Sequence, residues 1–247
     1  MAVHGSTPRR TLAAVAAVAA TAPTGCGAGG DPSVGKANDL LRTTSFHSSG
    51  GTTAFAGGSQ ELRWDPEQGL RTKASRNGGS GEMYCEDGQT YTGAALLADA
   101  LGQKGQDVTV PAGMADVFVR SGAPGGCEAY FLIPDAAERT PASDRATAEG
   151  VRTEAFGVSA GTASDTHYVD SDESLLVQLM SSREGRFSTT EYDSYGGTFP
   201  ISMPPDAGTV SMEEFRRGSE GERAAGDGVR RGRQRGTGPG AARTPHN

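Results

Sequence analysis

The fold is decided by residues 83–92, which read MYCEDGQTYT. Two runs of aromatic, thiol and β-branched side chains flank Asp87-Gly88, a pair that tolerates the positive φ angles of a two-residue hairpin turn. The stretch therefore predicts two antiparallel strands joined by a tight turn. It is the sharpest local signal in the chain.

Upstream of this hairpin, short extended runs are separated by turn residues rich in Gly, Asp and Pro. The runs are Thr52–Phe55, Glu61–Trp64 and Leu70–Ala74. Before them, Asp31-Pro32 suits an N-cap followed by proline at the first helical position. The sequence predicts a short helix that ends near Arg42, then antiparallel neighbours of the hairpin.

Downstream of the hairpin, a second helix is predicted because apolar residues recur at helical spacing. These residues are Ala94, Leu97, Ala98 and Leu101. Thr92 is placed to cap the start of this helix and Gly102 to end it. Extended structure is predicted for Val108–Val110 and Ala129–Ile133 around a Gly-Pro loop, with residues 134–149 irregular or briefly helical.

The last third of the chain alternates extended runs with Gly, Ser or Asp turns, which predicts an antiparallel meander. The runs are Val151–Phe156, His167–Val169, Ser174–Met180 and Arg186–Tyr192. Beyond Phe215 the Arg-Gly-Ala-Pro composition cannot bury enough apolar surface to offset chain entropy. We therefore predict one domain over residues 31–215 and a disordered basic tail over residues 216–247.

The composition argues against a thick core and against nucleic-acid binding. Of 247 residues, 35% are hydrophobic and 6% aromatic, and 37 glycines and 13 prolines interrupt the patterns. The net charge of −7 hides a charge of −14 over residues 11–215, whereas phosphate binding needs clustered cations. Twenty arginines against three lysines, with an excess of Ala and Gly, indicate a GC-rich genome and point toward an actinobacterium.

The first residues predict export. Arg9-Arg10 precede a short apolar segment, Leu12–Ala20, as in a signal peptide over residues 1–25. Small residues before Cys26 resemble a bacterial lipobox, in which the cysteine thiol takes a diacylglycerol, although Pro23 stands where leucine is usual.

We therefore expect lipidation at Cys26, a linker over residues 26–30, and an extracytoplasmic domain anchored by lipid to the outer face of the cell membrane. The predicted partner of the acylated residue is membrane lipid. Ordinary signal cleavage that leaves a spare thiol is the alternative.

Two cysteines remain for the domain, Cys85 and Cys127. Export exposes them to an oxidising compartment, so one disulfide is predicted. A catalytic thiol or a zinc site would need further His or Cys groups, and His47 and His167 are the only histidines of the predicted domain. No metal and no cofactor are expected.

Two motifs suggest enzymes or ions but lack the required context. Residues 157–161 read GVSAG and match the serine-hydrolase elbow, yet an extended run around His167 follows instead of a helix. Asp170, Asp172 and Glu173 lack the glycine and the terminal glutamate of a calcium loop. A non-enzyme is predicted, with a secreted hydrolase using Ser159 as a minor alternative.

The order of these elements resembles mycobacterial and streptomycete lipoproteins of the LppX and LprG type over about residues 31–210. The residues that carry the resemblance are Leu40-Leu41, Ser45-Phe46-His47, Asp87-Gly88-Gln89-Thr90-Tyr91, Gly150-Val151, Asp193-Ser194-Tyr195-Gly196, Ile201 and Pro204-Pro205. The group is similar to the LolA and LolB carriers. The resemblance implies an α+β fold: a curved antiparallel sheet, or half barrel, with short helices on its concave face.

The implied function is binding or transfer of a lipid, a glycolipid or another hydrophobic ligand in an apolar cavity. The alternative is a surface-interaction or sensor-accessory lipoprotein with the same fold and a filled core. Candidate lining residues are Phe55, Leu62, Leu97, Leu101, Val119, Leu132, Leu176, Met180 and Phe187. Each of them is more often a plain core residue than part of a cavity wall, so no ligand-binding residue is assigned.

Overall fold

The computed structural model describes residues 30–53, 58–76, 79–106, 108–146 and 150–221. Its strands are β1 Phe46–Thr52, β2 Gly58–Asp65, β3 Gly69–Arg76, β4 Gly79–Glu86, β5 Gln89–Gly93, β6 Phe118–Gly122, β7 Glu138–Arg139, β8 Arg145–Ala146, β9 Arg152–Ala160, β10 Ala163–Asp170, β11 Leu176–Arg183, β12 Arg186–Asp193 and β13 Thr209–Ser211. Its helices are α1 Pro32–Thr43, α2 Ala94–Gln103 and α3 over residues 212–221. Short 3-10 turns occupy Ala112–Met114, Cys127–Tyr130, Pro141–Ser143 and Asp206–Gly208.

All these strands belong to one curved, open sheet in the order β13-β6-β5-β4-β3-β2-β1-β12-β11-β10-β9-β7, with β8 also paired to β9. Every pairing is antiparallel except that of β13 with β6. Strands and helices are thus segregated rather than alternating along a parallel sheet, which makes this an α+β domain. The predicted fold class is confirmed at this level.

Helix α1 begins as the sequence predicted. The backbone N–H of Ser33 donates to Asp31 Oδ1 at 2.9 Å, and Pro32 opens the first turn. One face of the helix is buried through Val34, Ala37, Asn38 and Leu41. The helix ends at Thr43, one residue beyond the predicted end.

A buried amide fixes α1 to the chain that crosses it. Asn38 Nδ2 donates to the carbonyl oxygen of Ile133 at 2.8 Å, and the N–H of Ile133 donates to Asn38 Oδ1 at 2.9 Å. Both residues are almost inaccessible to solvent. This reciprocal pair satisfies two backbone groups that water does not reach.

Asn38→Leu is therefore expected to lower the free energy of unfolding by about 2 kcal/mol, since it leaves the backbone N–H and C=O of Ile133 buried without partners. Urea unfolding followed by Trp64 fluorescence measures the loss. Lys36→Leu, at an exposed position of the same helix, is the control. Equal stability of the two variants would contradict the structural role given to Asn38.

Aromatic rings fill the space between α1 and the middle of the sheet. The ring of Phe46 lies 5.2 Å from that of Phe131 and 5.7 Å from those of Tyr192 and Tyr195, measured between centroids. Trp64 packs on Phe131 at 4.9 Å. Such offset and edge contacts leave no ligand-sized space at their centre. This part of the interior is a filled core.

The hairpin at residues 83–92 forms as predicted, as part of β4 and β5. Asp87 and Gly88 have φ angles of +49° and +70°, as a turn with two left-handed residues requires. Helix α2 follows directly, but Gly93 is its N-cap and no side chain caps it, so the predicted role of Thr92 is wrong. The helix also continues through Gly102 to Gln103.

A second, smaller core contradicts the predicted end of the domain. Phe215 of α3 is fully buried against Ala94 and Val119, and Ser219 is buried one turn later. Ser211 and Glu214 cap this helix reciprocally, because each side chain accepts a hydrogen bond from the backbone N–H of the other residue. The fold thus extends to residue 221 at least, and residues 222–247 of the predicted tail lie outside the described residues.

Two further strand predictions are corrected. The first strand runs from Phe46 to Thr52, so it ends at the residue where the predicted run Thr52–Phe55 starts. Residues 54–57 lie outside the described residues. Val108–Val110 forms no strand, and most of Ala129–Ile133 is 3-10 turn and loop. The intervening strand β6 was not predicted.

The remaining predictions agree better with the structure. Residues 134–149 are largely irregular where described, with two short pairings on β9. Strands β9 to β12 form the predicted antiparallel meander.

Candidate functional site

One end of the sheet, here called the tip end, gathers the β9–β10 turn at residues 161–162 and the β11–β12 turn at residues 184–185. Strand β1 ends and β2 begins there too, because β1 pairs antiparallel with both β2 and β12. The C-terminal end of α2 reaches the same end of the sheet. Two hairpin turns, the end of β1, the start of β2 and the end of α2 therefore surround a common space.

This space is an open cleft of about 620 Å³ between α2 and the sheet. Its lining residues are mostly small or polar, with several cations, but most of the wall surface that they expose is apolar. The lining residues are Gly51, Thr52, Thr53, Gln60, Ala100, Gln103, Lys104, Thr162, Ala163, Leu179, Ser181, Arg183, Glu184, Arg186, Ser188 and Thr190. Hydroxyl, amide and cationic groups can bind a polar headgroup, and the aliphatic groups offer it an apolar wall.

The position of α2 depends on a glycine in β4. A Cβ atom added to Gly81 would lie 2.6 Å from the Cβ of Leu96, closer than real side chains approach. The helix can therefore seat on the strand only because position 81 has no side chain. From this seat α2 extends Ala100 and Lys104 over the cleft.

An ion pair forms part of the cleft wall. Arg183 Nη2 lies 2.6 Å from Asp165 Oδ2, and Ser181 Oγ donates to Asp165 Oδ1 at 2.7 Å. Burial alone would raise the pKa of Asp165, but the hydrogen bonds from Arg183 and Ser181 outweigh it and lower this pKa. Asp165 thus stays ionised and neutralises Arg183.

Two other cations remain near the mouth of the cleft. Arg186 lies 3.6 Å from Glu184, in a pair whose two side chains are well exposed, and Lys104 stands at the end of α2. Exposed pairs of this kind are weak, since water screens them. The cleft can therefore offer Lys104 and Arg186 to an anionic group.

His167 lies on β10 two residues from Asp165, and only 4% of it is exposed. Burial lowers its pKa, although the charge of Asp165 acts in the opposite direction. Its Nδ1 atom has no hydrogen-bond partner among the described residues. The ring is therefore neutral at pH 7 and belongs to the inner layer behind the cleft.

Of the candidate lining residues predicted from the sequence, none that the structure describes lines this cleft. Leu62, Val119 and Leu176 are buried core residues. Leu97, Leu101 and Leu132 are partly buried against the two cores. Met180 and Phe187 are exposed, and Phe55 lies outside the described residues.

Sequence reasoning missed the cleft because its residues form no motif. Its walls contain small residues from several strands, such as Gly51, Thr52 and Thr53 at the end of β1 and Ser188 and Thr190 on β12. These residue types are also those of ordinary turns. Their recurrence near the ends of several predicted strands was the one available signal.

The serine-hydrolase motif does not form a nucleophile elbow. Ser159 lies within β9 and pairs with Ser164 across the β9–β10 hairpin. His167 pairs with Phe156, so alternation along the strand places His167 and Ser159 on opposite faces of the sheet. This geometry contradicts the minor alternative of a hydrolase that uses Ser159.

The acidic residues after β10 form a turn, as predicted. Asp170 Oδ1 accepts hydrogen bonds from the backbone N–H groups of Asp172 and Glu173. Within the described residues, no three His, Cys, Asp or Glu side chains cluster in a way that could hold a metal ion.

The predicted disulfide is present between Cys85 and Cys127, with Cα atoms 5.5 Å apart. It joins the end of β4 to the 3-10 turn that starts at Cys127, and both residues are buried. Cys26 and the signal segment lie outside the described residues. No helix in the described ranges is long and apolar enough to cross a membrane.

Fold and cleft together define an α+β domain with an open, largely antiparallel sheet and a cleft of mixed polar and apolar lining. No family model matches the chain, and no curated protein matches its sequence. Similar solved structures include LprF from Mycobacterium bovis, with 10% identity, a TM-score of 0.39, and coverage of 72% of this chain and 99% of that one.

Two other structures are similar to a comparable degree. The lipoprotein LppX from Mycobacterium tuberculosis has 9% identity and a TM-score of 0.41, covering 69% of this chain and 97% of that one. The MucA/MucB complex of Pseudomonas aeruginosa has 13% identity and a TM-score of 0.35, covering 71% and 58% respectively. The lipoprotein group that the sequence resembles is thus among these structures, at identities that assign no family.

Proposed function

We propose that the chain is an exported lipoprotein, anchored to the outer face of the cell membrane through acylated Cys26, whose domain binds a lipid or another amphipathic ligand. The cleft at the tip end carries the binding part of this proposal. Its volume of about 620 Å³ lies within the roughly 300–1,000 Å³ typical of small-molecule sites. The actinobacterial origin indicated by the composition remains part of the proposal.

The lining of the cleft narrows the ligand class. Lys104 and Arg186 favour an anionic headgroup, and the hydroxyl groups of Ser188 and Thr190 favour a ligand rich in hydrogen-bonding atoms. Leu179 and Ala100 provide room for a short apolar portion. A phospholipid or glycolipid headgroup with the first part of its acyl chains meets these requirements.

The sheet architecture supports the same proposal. In a half barrel, helices cover the concave face of the sheet and leave a ligand space between the two layers. Here α1 covers a filled core, whereas the space beneath the end of α2 stays open. We therefore assign the ligand to the α2 side of the proposed half barrel.

Ala100→Trp tests ligand binding, because an indole group on α2 would occupy part of the cleft. Native mass spectrometry of the exported protein, extracted gently from membranes, is expected to show a co-purifying lipid on the parent. Occupancy in Ala100→Trp should fall about tenfold, equivalent to about 1.4 kcal/mol.

The control is Ala95→Trp, the same change at an exposed position of α2. Both variants should unfold at the parent's urea midpoint. A parent protein that repeatedly carries no lipid would contradict ligand carriage. Equal lipid occupancy in the two variants would show that the ligand binds outside this cleft.

A second candidate function is a surface-interaction or sensor-accessory lipoprotein. One observation favours it: the aromatic packing around Phe46 fills the interior under α1, where a carrier of whole acyl chains would need a cavity. Absence of lipid from the parent protein in the same mass spectra would support this alternative.

A further inference from the structure

We propose that the tip end of the sheet rests on an anionic lipid bilayer surface and inserts Phe187 into it, so that the mouth of the cleft opens at the membrane. This inference rests on the proposed function, because it assumes the lipid anchor at Cys26. It goes further by assigning the face of the domain that meets the membrane and the residue that enters it.

The first argument is the exposure of apolar side chains. Three large hydrophobic residues are exposed among the described residues, and two of them, Met180 and Phe187, lie on the adjacent strands β11 and β12. Phe187 is 80% exposed and Met180 37%. Fully hydrating an aromatic ring costs free energy that insertion into a lipid interface recovers.

The second argument is their position beside the cleft. Phe187 stands two residues after the β11–β12 turn, and its neighbours Arg186 and Ser188 line the cleft. Side chains alternate along a strand, so Phe187 points to the other face of the same strand. Met180 stands between Leu179 and Ser181 in the same way. The apolar pair therefore borders the mouth of the cleft from outside.

The third argument is charge. Lys104 and Arg186 lie at the same end of the domain, and Asp165 pairs with Arg183. The acidic group beside Arg186 is Glu184, in an exposed pair that is weak because water screens it. An interfacial site combines cations for anionic headgroups with an aromatic group for the acyl boundary. The tip end has both, whereas the remainder of the domain is acidic overall.

The fourth argument is the position of the anchor. Strand β9 runs toward the tip end, and Glu138 pairs with its Gly157, so the chain just before Glu138 also lies toward that end. Gly30 lies beside Asp135 in this segment, since a Cβ on Gly30 would be 3.4 Å from the Asp135 carbonyl oxygen.

Cys26 precedes Gly30 by four residues, which extend over at most about 14 Å. A diacyl group at Cys26 therefore holds the domain within about that distance of the bilayer.

Phe187→Trp in the full, lipidated protein tests this orientation. The protein is reconstituted in vesicles of phosphatidylglycerol and brominated phosphatidylcholine, and its tryptophan fluorescence is compared with that in unbrominated vesicles. Trp64, the only native tryptophan, is buried and gives the baseline. Bromine should quench the added fluorescence roughly twofold, because an interfacial side chain lies about 5–10 Å into the headgroup–acyl boundary.

Glu67→Trp is the matched control, since Glu67 is exposed in the β2–β3 turn at the opposite end of the sheet. Its added fluorescence should not be quenched. If Phe187→Trp is quenched equally strongly in brominated phosphatidylcholine vesicles without phosphatidylglycerol, the role given to Lys104 and Arg186 is overturned.

A protein that floats with the vesicles but shows no quenching at position 187 overturns this inference and leaves the anchor intact. A protein that does not float overturns the anchor and the inference together. Quenching at position 187 in a protein without co-purifying lipid supports the orientation and contradicts only ligand carriage.

Discussion

The double variant Cys85→Ala/Cys127→Ala is expected to lose about 4 kcal/mol of unfolding free energy. The bond spans a sequence separation of 42. In the chain-entropy model, closing a loop of that length lowers the entropy of the unfolded chain and so raises its free energy by about 4 kcal/mol. Both sulfur atoms are buried, so their loss adds a packing cost. For a domain with few aromatic residues this is a large fraction of the total stability.

Urea unfolding at neutral pH measures this loss. The parent protein treated with dithiothreitol is the control, because it keeps both cysteine side chains and loses only the bond. The unfolding free energy of the reduced parent should be only slightly higher than that of the double variant. A reduced parent as stable as the oxidised one would show that the loop gains no stability from closure.

Cys26→Ala, expressed with its own export signal, is expected to move the protein from the membrane fraction to the soluble fraction. Each buried methylene of an acyl chain contributes about 0.8 kcal/mol, so two chains anchor stably where one binds reversibly. Without the thiol no diacylglycerol can be attached. Fractionation of cells followed by flotation measures the shift.

The Cys85→Ala/Cys127→Ala variant is the matched control, since it also removes cysteines but keeps the acylation site and should stay with the membrane. Pro23→Leu restores the residue usual at that position and should raise the lipidated fraction. If Cys26→Ala partitions into membranes as fully as the parent, the proposed anchor is wrong.

Local chemistry explains which parts of the fold could be predicted. Asp31-Pro32 and Asp87-Gly88 each impose a backbone geometry within two residues, so the start of α1 and the β4–β5 hairpin follow from the sequence. The meander β9 to β12 has long runs separated by turn residues. In these regions no distant contact is needed to select the structure.

The wrong secondary-structure predictions fall in regions whose structure depends on contacts between residues far apart in the sequence. Strand β6 is short and is held by pairing with β5 and β13, which no local pattern reveals. Helix α3 has only Phe215 as a fully buried large residue, so its composition resembles that of a disordered tail. The capping pair Ser211 and Glu214 was a local signal for this helix.

The candidate site was hidden for a different reason. The predicted lining of an apolar cavity consisted of large hydrophobic residues such as Leu62 and Leu176, which the structure places in the core. The open space is instead bordered by residues too small or too polar to fill it, such as Ala163 and Thr190. A cavity arises where side chains are absent, and only the relative positions of α2 and the strands define it.

The two edges of the sheet have a consequence for the behaviour of the protein at high concentration. Strand β13, at one edge, has three residues, and β7 and β8, at the other, have two each. Edge strands this short offer few free backbone groups to a strand from another molecule, although residues 158–160 of β9 extend beyond the pairing with β7. In a crowded population, such short edges disfavour the joining of these domains edge to edge into fibres, even though each contains a thirteen-stranded sheet.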